Sequence, residues 1–232
     1  MCGRYRLSRH KQLLAEYFGM DFDSLEWHPR YNIAPAQPVP VVTQTGGERK
    51  ASLMRWGLIP SWAADRSGAA RTINARAETA AAKPSFREPL RKRRCLIPAD
   101  GFYEWQRSGR AKQPFCFELG DGAIFAFAGL WDRWRAPDGQ VLESCTVLTT
   151  AANRVMEGIH DRMPVILTRP NYERWLDPAM QNLQDAAALL APYEADGMKR
   201  YAVSARVNQV ANDGPECCEP AEPGPVTLRL FE

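Results

Sequence analysis

The chain lacks most of the features by which a sequence announces a common chemistry. It has three histidines, and its six cysteines (Cys2, Cys95, Cys116, Cys145, Cys217 and Cys218) show no paired spacing of the zinc-binding kind. No resident metal is expected. There is no glycine-rich dinucleotide fingerprint and no phosphate-binding loop, so no nucleotide cofactor is expected either. No apolar run reaches about 18 residues, which excludes a helical membrane span, and no apolar signal core precedes the first helix-like segment. The expected compartment is the cytoplasm, or the nucleoid. In that setting Cys95, Cys116 and Cys145 read as small buried hydrophobes rather than disulfide halves. A large net charge is also missing: at +3, the global field is too weak to argue for nucleic-acid binding. No internal repeat and no linker divides the chain.

What is present suits one compact domain over residues 1–232, long enough to bury a real core. Ser8 to Gly19 reads as a helix, with Ser8 as its cap, an apolar side of Leu13, Leu14, Tyr17 and Phe18, and Gly19 as its end. Residues 27–38, with three prolines, read as loop. Strand patterns follow at 39–43, 52–58, 95–98, 102–106, 115–119, 124–130, 143–149 and 165–168, and again at 201–203 and 226–230. Short helices fit 153–159, 171–176 and 183–193. Many short, irregularly spaced strands broken by a few helices predict an α+β fold rather than a doubly wound sheet. Arg87, Arg91, Lys92, Arg93 and Arg94 crowd one stretch and read as a solvated face.

Four places carry reactive groups. Cys2 follows the initiator, and its small side chain favours removal of Met1. A terminal cysteine carries an α-amine titrating near ~8 and a thiol near ~8.5. Such an aminothiol suits an aldehyde: the amine forms a Schiff base and the thiol closes a five-membered thiazolidine. Asn74, in Ile73-Asn74-Ala75-Arg76, is able to donate and accept hydrogen bonds at a reacting centre, and Arg76 to grip a phosphate; a polar turn before a helix is the other reading. Glu104 alternates with aromatics in Phe102-Tyr103-Glu104-Trp105. Facing inward it would be a desolvated carboxyl with a raised pKa; facing outward, an ordinary strand residue. His160, at a helix-to-strand junction, is the best acid–base candidate among the histidines. Of Trp56 and Trp62, one belongs in the core; Trp62, in a Pro-Ser-Trp loop, suits an exposed stacking surface.

Together these segments resemble the SRAP (SOS response-associated peptidase) family of abasic-site processing proteins. The resemblance runs through Cys2-Gly3-Arg4-Tyr5, Arg30-Tyr31-Asn32-Ile33-Ala34-Pro35, Arg55 to Trp62, Asn74-Ala75-Arg76, Gly101 to Trp105 and Ile159 to Pro164. Val207-Asn208 and Asn212 to Glu216 continue it. It implies a compact α+β domain with bent mixed sheets forming a partly closed barrel. It also implies single-stranded DNA carrying an abasic site as partner, cross-linked through Cys2, in the response to DNA damage. Asn74, Glu104 and His160 are the implied catalytic residues, and Arg4, Trp62, Arg76 and Arg162 the implied DNA contacts. Weak lyase activity, self-removal of Met1, a monomeric state and replication-fork partners complete the expectation. The alternatives are a thiol autopeptidase using Cys2, or a non-catalytic single-strand binder.

Overall fold

The computed structural model describes residues 2–109, 111–120 and 122–222. Its strands are β1 (Tyr5–Leu7), β2 (Arg30–Ile33), β3 (Pro38–Thr45), β4 (Glu48–Trp56), β5 (Asn74–Arg76), β6 (Arg94–Ala99), β7 (Gly101–Ser108), β8 (Ala111–Leu119), β9 (Phe125–Arg135), β10 (Val141–Ala151), β11 (Arg162–Pro164), β12 (Ile166–Leu167) and β13 (Met198–Ala202). The helices are α1 (Lys11–Phe18), α2 (Ala77–Ala80), α3 (Pro84–Lys92), α4 (Tyr172–Leu176) and α5 (Leu183–Ala187).

Five strands close on themselves in the order β10-β4-β3-β6-β9, with β9 pairing back onto β10. Closure leaves no free edge in this ring. All its pairings are antiparallel except β10 with β4. Most of the buried residues of these strands are apolar, and Tyr5 packs against them with its ring edge-on to Trp56 and Phe127 at 5.3 and 5.6 Å. β11, β12 and the three-residue β5 extend the ring. A second sheet, β13-β8-β7-β1-β2, lies beside the barrel. It is tied to the barrel where β6 runs into β7 through Asp100, which accepts hydrogen bonds from the Ser8 backbone and hydroxyl.

That use of Ser8 corrects one expectation. Its hydroxyl is spent on Asp100, so α1 starts later, at Lys11, behind an uncapped His10. Gly19 does end the helix: it adopts the left-handed region at φ 65°, and its N–H reaches the Ala15 carbonyl at 2.8 Å. The expected loop at 27–38 contains β2. The helix expected at 153–159 is a single 3-10 turn, Arg154–Met156, and that at 183–193 stops at Ala187. The strand expected at 226–230 lies outside the described residues. Arg93 and Arg94 also leave the expected solvated face. Arg93 pairs with Asp132, and the buried Arg94 donates to carbonyls of Leu90, Arg91, Trp175 and Asp177.

β2 is held by a buried hub. Asn32 is fully buried; its amide donates to the carbonyls of Val207, Gln209 and Asn212, and its Oδ1 accepts from Arg4 at 2.7 Å. Asp213 accepts from the backbone N–H groups of Tyr31 and Asn32 and pairs with Arg30. Asn32→Ala removes one partner from several buried groups at once. It is expected to lower the unfolding free energy by about 3 kcal/mol, measured by urea titration; a loss under about 1 kcal/mol would show that water replaces those hydrogen bonds.

Candidate functional site

Three separate parts of the chain meet at one cleft. β1 pairs antiparallel with β7, with Tyr5 opposite Phe102 and Arg6 opposite Gly101, and the Tyr103 N–H reaches the Arg4 carbonyl at 2.9 Å. Continued in that register, Gly3 would stand opposite Glu104 and Cys2 opposite Trp105, and the Glu104 charge acts on the Cys2 thiol. β5 pairs in parallel with β10, Asn74 opposite Val147, and brings the Asn74 side chain to the same point. Its amide donates to the Cys2 carbonyl at 2.8 Å, across 72 residues of sequence. Asn74 Oδ1 is buried and has no hydrogen-bond partner among the described residues, so an acceptor is left over next to Cys2. The third part is the turn before β11, which carries His160. Gln106 joins this turn to β7 by donating to the Gly158 carbonyl at 3.2 Å.

The cleft has a volume of 870 Å³ and is lined by Arg4, Glu104, Trp105, Arg107, Lys112, Gly158, Ile159, His160 and Asn208. Glu104 is 5% exposed, and burial pushes its carboxyl up to about 7. This is the inward-facing reading of the strand. Near neutral pH the group is present in both forms, as a proton shuttle requires. Cys2 is 0% exposed. Burial first, and the charge of Glu104 second, hold its thiol well above its ordinary range. The thiol is therefore protonated at neutral pH and needs a base before it can attack.

His160 sits at the rim, half-buried. Its Nδ1 accepts the Arg162 backbone N–H at 2.9 Å, which places the proton of the neutral ring on Nε2. The exposed Asp161 carboxylate lies 2.9 Å from the same Nδ1. An ion pair there would need a proton on Nδ1, which the Arg162 N–H excludes. Burial, ahead of all other influences, lowers the His160 pKa and keeps the ring neutral.

The expected cationic and aromatic contacts fall in different places. Arg4 lines the cleft, with its guanidinium held by Asn32 and the Val207 carbonyl and lying over the Trp105 ring at 5.7 Å. Trp105 is itself fixed by Asn208, which accepts from Nε1 at 2.7 Å. Arg76 and Arg162 flank the end of β10, opposite Thr149 and Ala151. Arg76 is exposed. Arg162 forms a two-pronged ion pair with Glu78 at 2.7 and 2.9 Å and donates to the Thr149 carbonyl. That ion pair holds the Glu78 carboxyl below its usual range.

The two tryptophans divide as their surroundings suggested. Trp56 is fully buried and donates to the Ile73 carbonyl, whereas Trp62 is 66% exposed. Trp62 does not join the Glu104 cleft; it borders a separate hollow of 310 Å³ with Ile59, Pro60 and Arg71. Its loop is pinned from below. Asp132 accepts the Ser61 N–H, Ser144 accepts the Ile59 N–H, and Trp134 donates to the Ala63 carbonyl. Gly57, at φ 122°, starts this loop where an added Cβ would lie 2.8 Å from the Ala69 carbonyl oxygen.

Sequence reasoning assigned no role to Trp105, Arg107, Lys112 and Asn208. Trp105 and Arg107 fall on the opposite alternation of β7 from Glu104, so the pattern that singled out Glu104 passes over them, and nothing local to Lys112 or Asn208 marks those two. Among the described residues no group of three or more histidine, cysteine, aspartate or glutamate side chains is arranged to hold a metal, and no helix is long and apolar enough to cross a membrane.

Comparison with known proteins points in one direction. A family model described as SOS response associated peptidase (SRAP) matches residues 1–210. Abasic site processing protein YoqW of Bacillus subtilis is 46% identical over 222 residues, spanning 94% of this chain and 99% of its own. Abasic site processing protein HMCES of Gallus gallus is 34% identical over 230 residues, 85% of this chain and 68% of its own. The crystal structure of a protein from Bacteroides thetaiotaomicron superposes with a TM-score of 0.87 at 30% identity, covering 95% of this chain and all of that one.

Proposed function

The chain belongs to the SRAP family, and from that premise we propose that it processes abasic sites, capturing them in single-stranded DNA as a covalent adduct on Cys2. The observation that carries this reading is a buried Cys2, tethered by Asn74, that feels the charge of Glu104, a carboxyl titrating near neutrality in the wall of the cleft. Removal of Met1 frees the Cys2 α-amine. The ring-opened deoxyribose presents an aldehyde at C1′. The amine adds to C1′, and loss of one water gives the imine. The Cys2 thiol, protonated at rest, gives its proton to the Glu104 carboxylate as sulfur attacks the imine carbon, and Glu104 passes that proton to the nitrogen. The product is a thiazolidine joined to an intact strand.

Each neighbouring group has a place in this reaction. The spare Asn74 Oδ1 accepts a hydrogen bond from the freed amine while the amide holds the Cys2 carbonyl. The His160 Nε2–H hydrogen-bonds the sugar ring oxygen as the hemiacetal opens. Holding amine, thiol and aldehyde together replaces two encounters with one oriented reaction. The imine also permits strand-cleaving β-elimination, which ring closure suppresses, so lyase activity is weak. Arg4, Arg76 and Arg162 contact phosphate or sugar, and Trp62 stacks on a base. Phosphate contacts position a strand without reading its sequence, as a lesion found in any context requires. Met1 leaves by self-removal at the same site, and the protein acts as a cytoplasmic monomer that meets replication-fork proteins on nucleoid DNA. The raised thiol pKa speaks against a general cysteine peptidase, which depends on a thiolate.

Intact mass spectrometry with and without an abasic oligonucleotide tests the reading. The expected result is a chain lacking Met1 that gains the mass of the oligonucleotide minus one water. Protein lacking Met1 that forms no denaturant-resistant adduct would overturn it. For the stacking surface, Trp62→Ala is expected to weaken single-strand binding by about 1–3 kcal/mol with no loss of thermal stability, because the indole is exposed. Unchanged binding would remove Trp62 from the strand's path.

A further inference from the structure

The hairpin of β7 and β8 forms one wall of the cleft, and its register places two cations directly across from each other: Arg107 on β7 opposes Lys112 on β8. Like charges in directly opposed positions destabilise an antiparallel pair. Both side chains line the cleft. Neither has an ion-pair or hydrogen-bond partner among the described residues. Several other arginines are already held by partners, whereas Arg76, at the end of β10, is exposed as Arg107 is. Arg4 is held by Asn32 and the Val207 carbonyl, Arg162 by Glu78, Arg30 by Asp213 and Arg93 by Asp132.

The cleft wall offers these two cations little compensation. Among the described residues its only acidic lining residue is Glu104, three positions before Arg107, whose carboxyl is partly protonated at neutral pH. At about 3.3 Å per strand residue, Arg107 stands about 10 Å along β7 from Glu104. That is too far to act on the reacting aldehyde, yet within the same cleft. The charge of Arg107 also reaches the His160 ring, where it adds to the larger effect of burial.

We propose that Arg107 and Lys112 form a phosphate-binding site that grips the single strand beside the lesion and holds the reacting sugar against Cys2 and Glu104. The inference rests on the single-strand reading above and adds to it a backbone contact on the hairpin side of the cleft. A phosphate oxygen pair suits the planar guanidinium, and the lysine ammonium supplies a second point charge. An anion between the two cations converts a repulsive cross-strand pair into a bridged one. The unliganded hairpin carries the repulsion, and the strand relieves it on binding. Inorganic phosphate shares this chemistry, so the test separates a strand phosphate from a free ion.

The experiment is fluorescence anisotropy on a single-stranded oligonucleotide with tetrahydrofuran in place of the abasic sugar. This probe offers the backbone and lacks the aldehyde. On a single strand, every phosphate that a protein cation neutralises adds about 0.7 to the slope of log K against log salt. Arg107→Gln and Lys112→Gln are each expected to flatten that slope by about 0.7, and the double variant by about 1.4, with affinity several-fold lower at low salt. Arg174→Gln, which removes the same charge from an exposed position on α4, is expected to keep the wild-type slope. A single neutral methylphosphonate next to the lesion should flatten the wild-type slope and change nothing further in the double variant. Millimolar inorganic phosphate, at constant ionic strength, should not displace the strand. Because repulsion is removed, the double variant should melt no lower than wild type.

A double variant that keeps the wild-type slope overturns the site. So does an Arg174→Gln slope that flattens equally, because the effect would then be one of net charge. Displacement by inorganic phosphate alone would assign the pair to a free ion and also overturn it. Failure of the wild-type protein to bind this strand, or to capture an authentic abasic strand, would instead sink the underlying reading.

Discussion

Cys2→Ala is expected to yield no denaturant-resistant adduct with an abasic single strand, while keeping its affinity for the tetrahydrofuran strand. Self-removal of Met1 is lost with the thiol, but a host methionine aminopeptidase still removes Met1 ahead of a small alanine, so the variant presents an α-amine. What it lacks is the sulfur that closes the ring. The imine it forms is reversible, hydrolyses on denaturation and is open to β-elimination. Two further readouts follow: borohydride traps the imine, and strand cleavage rises above the wild-type level. Cys2→Ser behaves alike, because a hydroxyl is a poorer nucleophile toward the imine carbon. The thiol is fully buried among packed residues, and its removal leaves a small cavity costing about 1 kcal/mol, so the fold survives. A heat-stable adduct formed equally well without the thiol would reject the thiazolidine.

Glu104→Gln carries the second large effect, and it acts on two measurements in opposite directions. General acid–base groups contribute typically about 10²–10⁴ in rate, and the adduct is expected to form slower by that factor. The wild-type rate should depend on pH around 7, where the carboxyl titrates, and the glutamine variant should lose that dependence. A variant with the wild-type rate and pH profile would remove Glu104 from the reaction.

Stability should move the other way. The folded protein holds the Glu104 proton up to about pH 7, whereas an unfolded glutamate releases it near ~4.3. Between those values the folded state binds more protons than the unfolded one, so stability falls as pH rises through that window. Above it the full penalty is present, about 4 kcal/mol for a shift of this size. Glutamine carries no charge to desolvate. Glu104→Gln should therefore be more stable than wild type at pH 8 and no more stable at pH 4, by urea titration at both values. The carboxyl is kept at a cost in stability for what it does.

Some elements were readable from local pattern and some were not. The strands of the barrel stand close to where short runs of apolar and β-branched residues placed them, because most of their middle residues are buried on both faces. β2 was hidden by Pro29, Asn32 and Pro35: it is held by pairing with β1 and by the buried Asn32 hub rather than by strand propensity. α3 was hidden by its prolines. Pro84 occupies the first turn, where its missing N–H costs nothing, and the helix is secured by the burial of Phe86, Pro89 and Leu90. The charge run after it looked solvated because nothing near Arg93 and Arg94 in sequence reveals Asp132 or the carbonyls of α4.

The reactive inventory was legible residue by residue: an aminothiol at position 2, one carboxylate among aromatics, one histidine at a junction and one tryptophan in a polar loop. These follow from side-chain chemistry and near-neighbour pattern, which a linear chain contains. What only the tertiary structure decided is which of them meet. Strand pairing joins residues 2–4 to 103–105, and a parallel bridge on β10 swings Asn74 under Cys2. Burial by the barrel, not the local sequence, lifts Glu104 toward neutrality and keeps the thiol protonated. The same fold parts Trp62 from that cleft and sets Arg107 against Lys112. Proximity and desolvation arise between segments far apart in the chain, so they belong to the fold rather than to any stretch of its sequence.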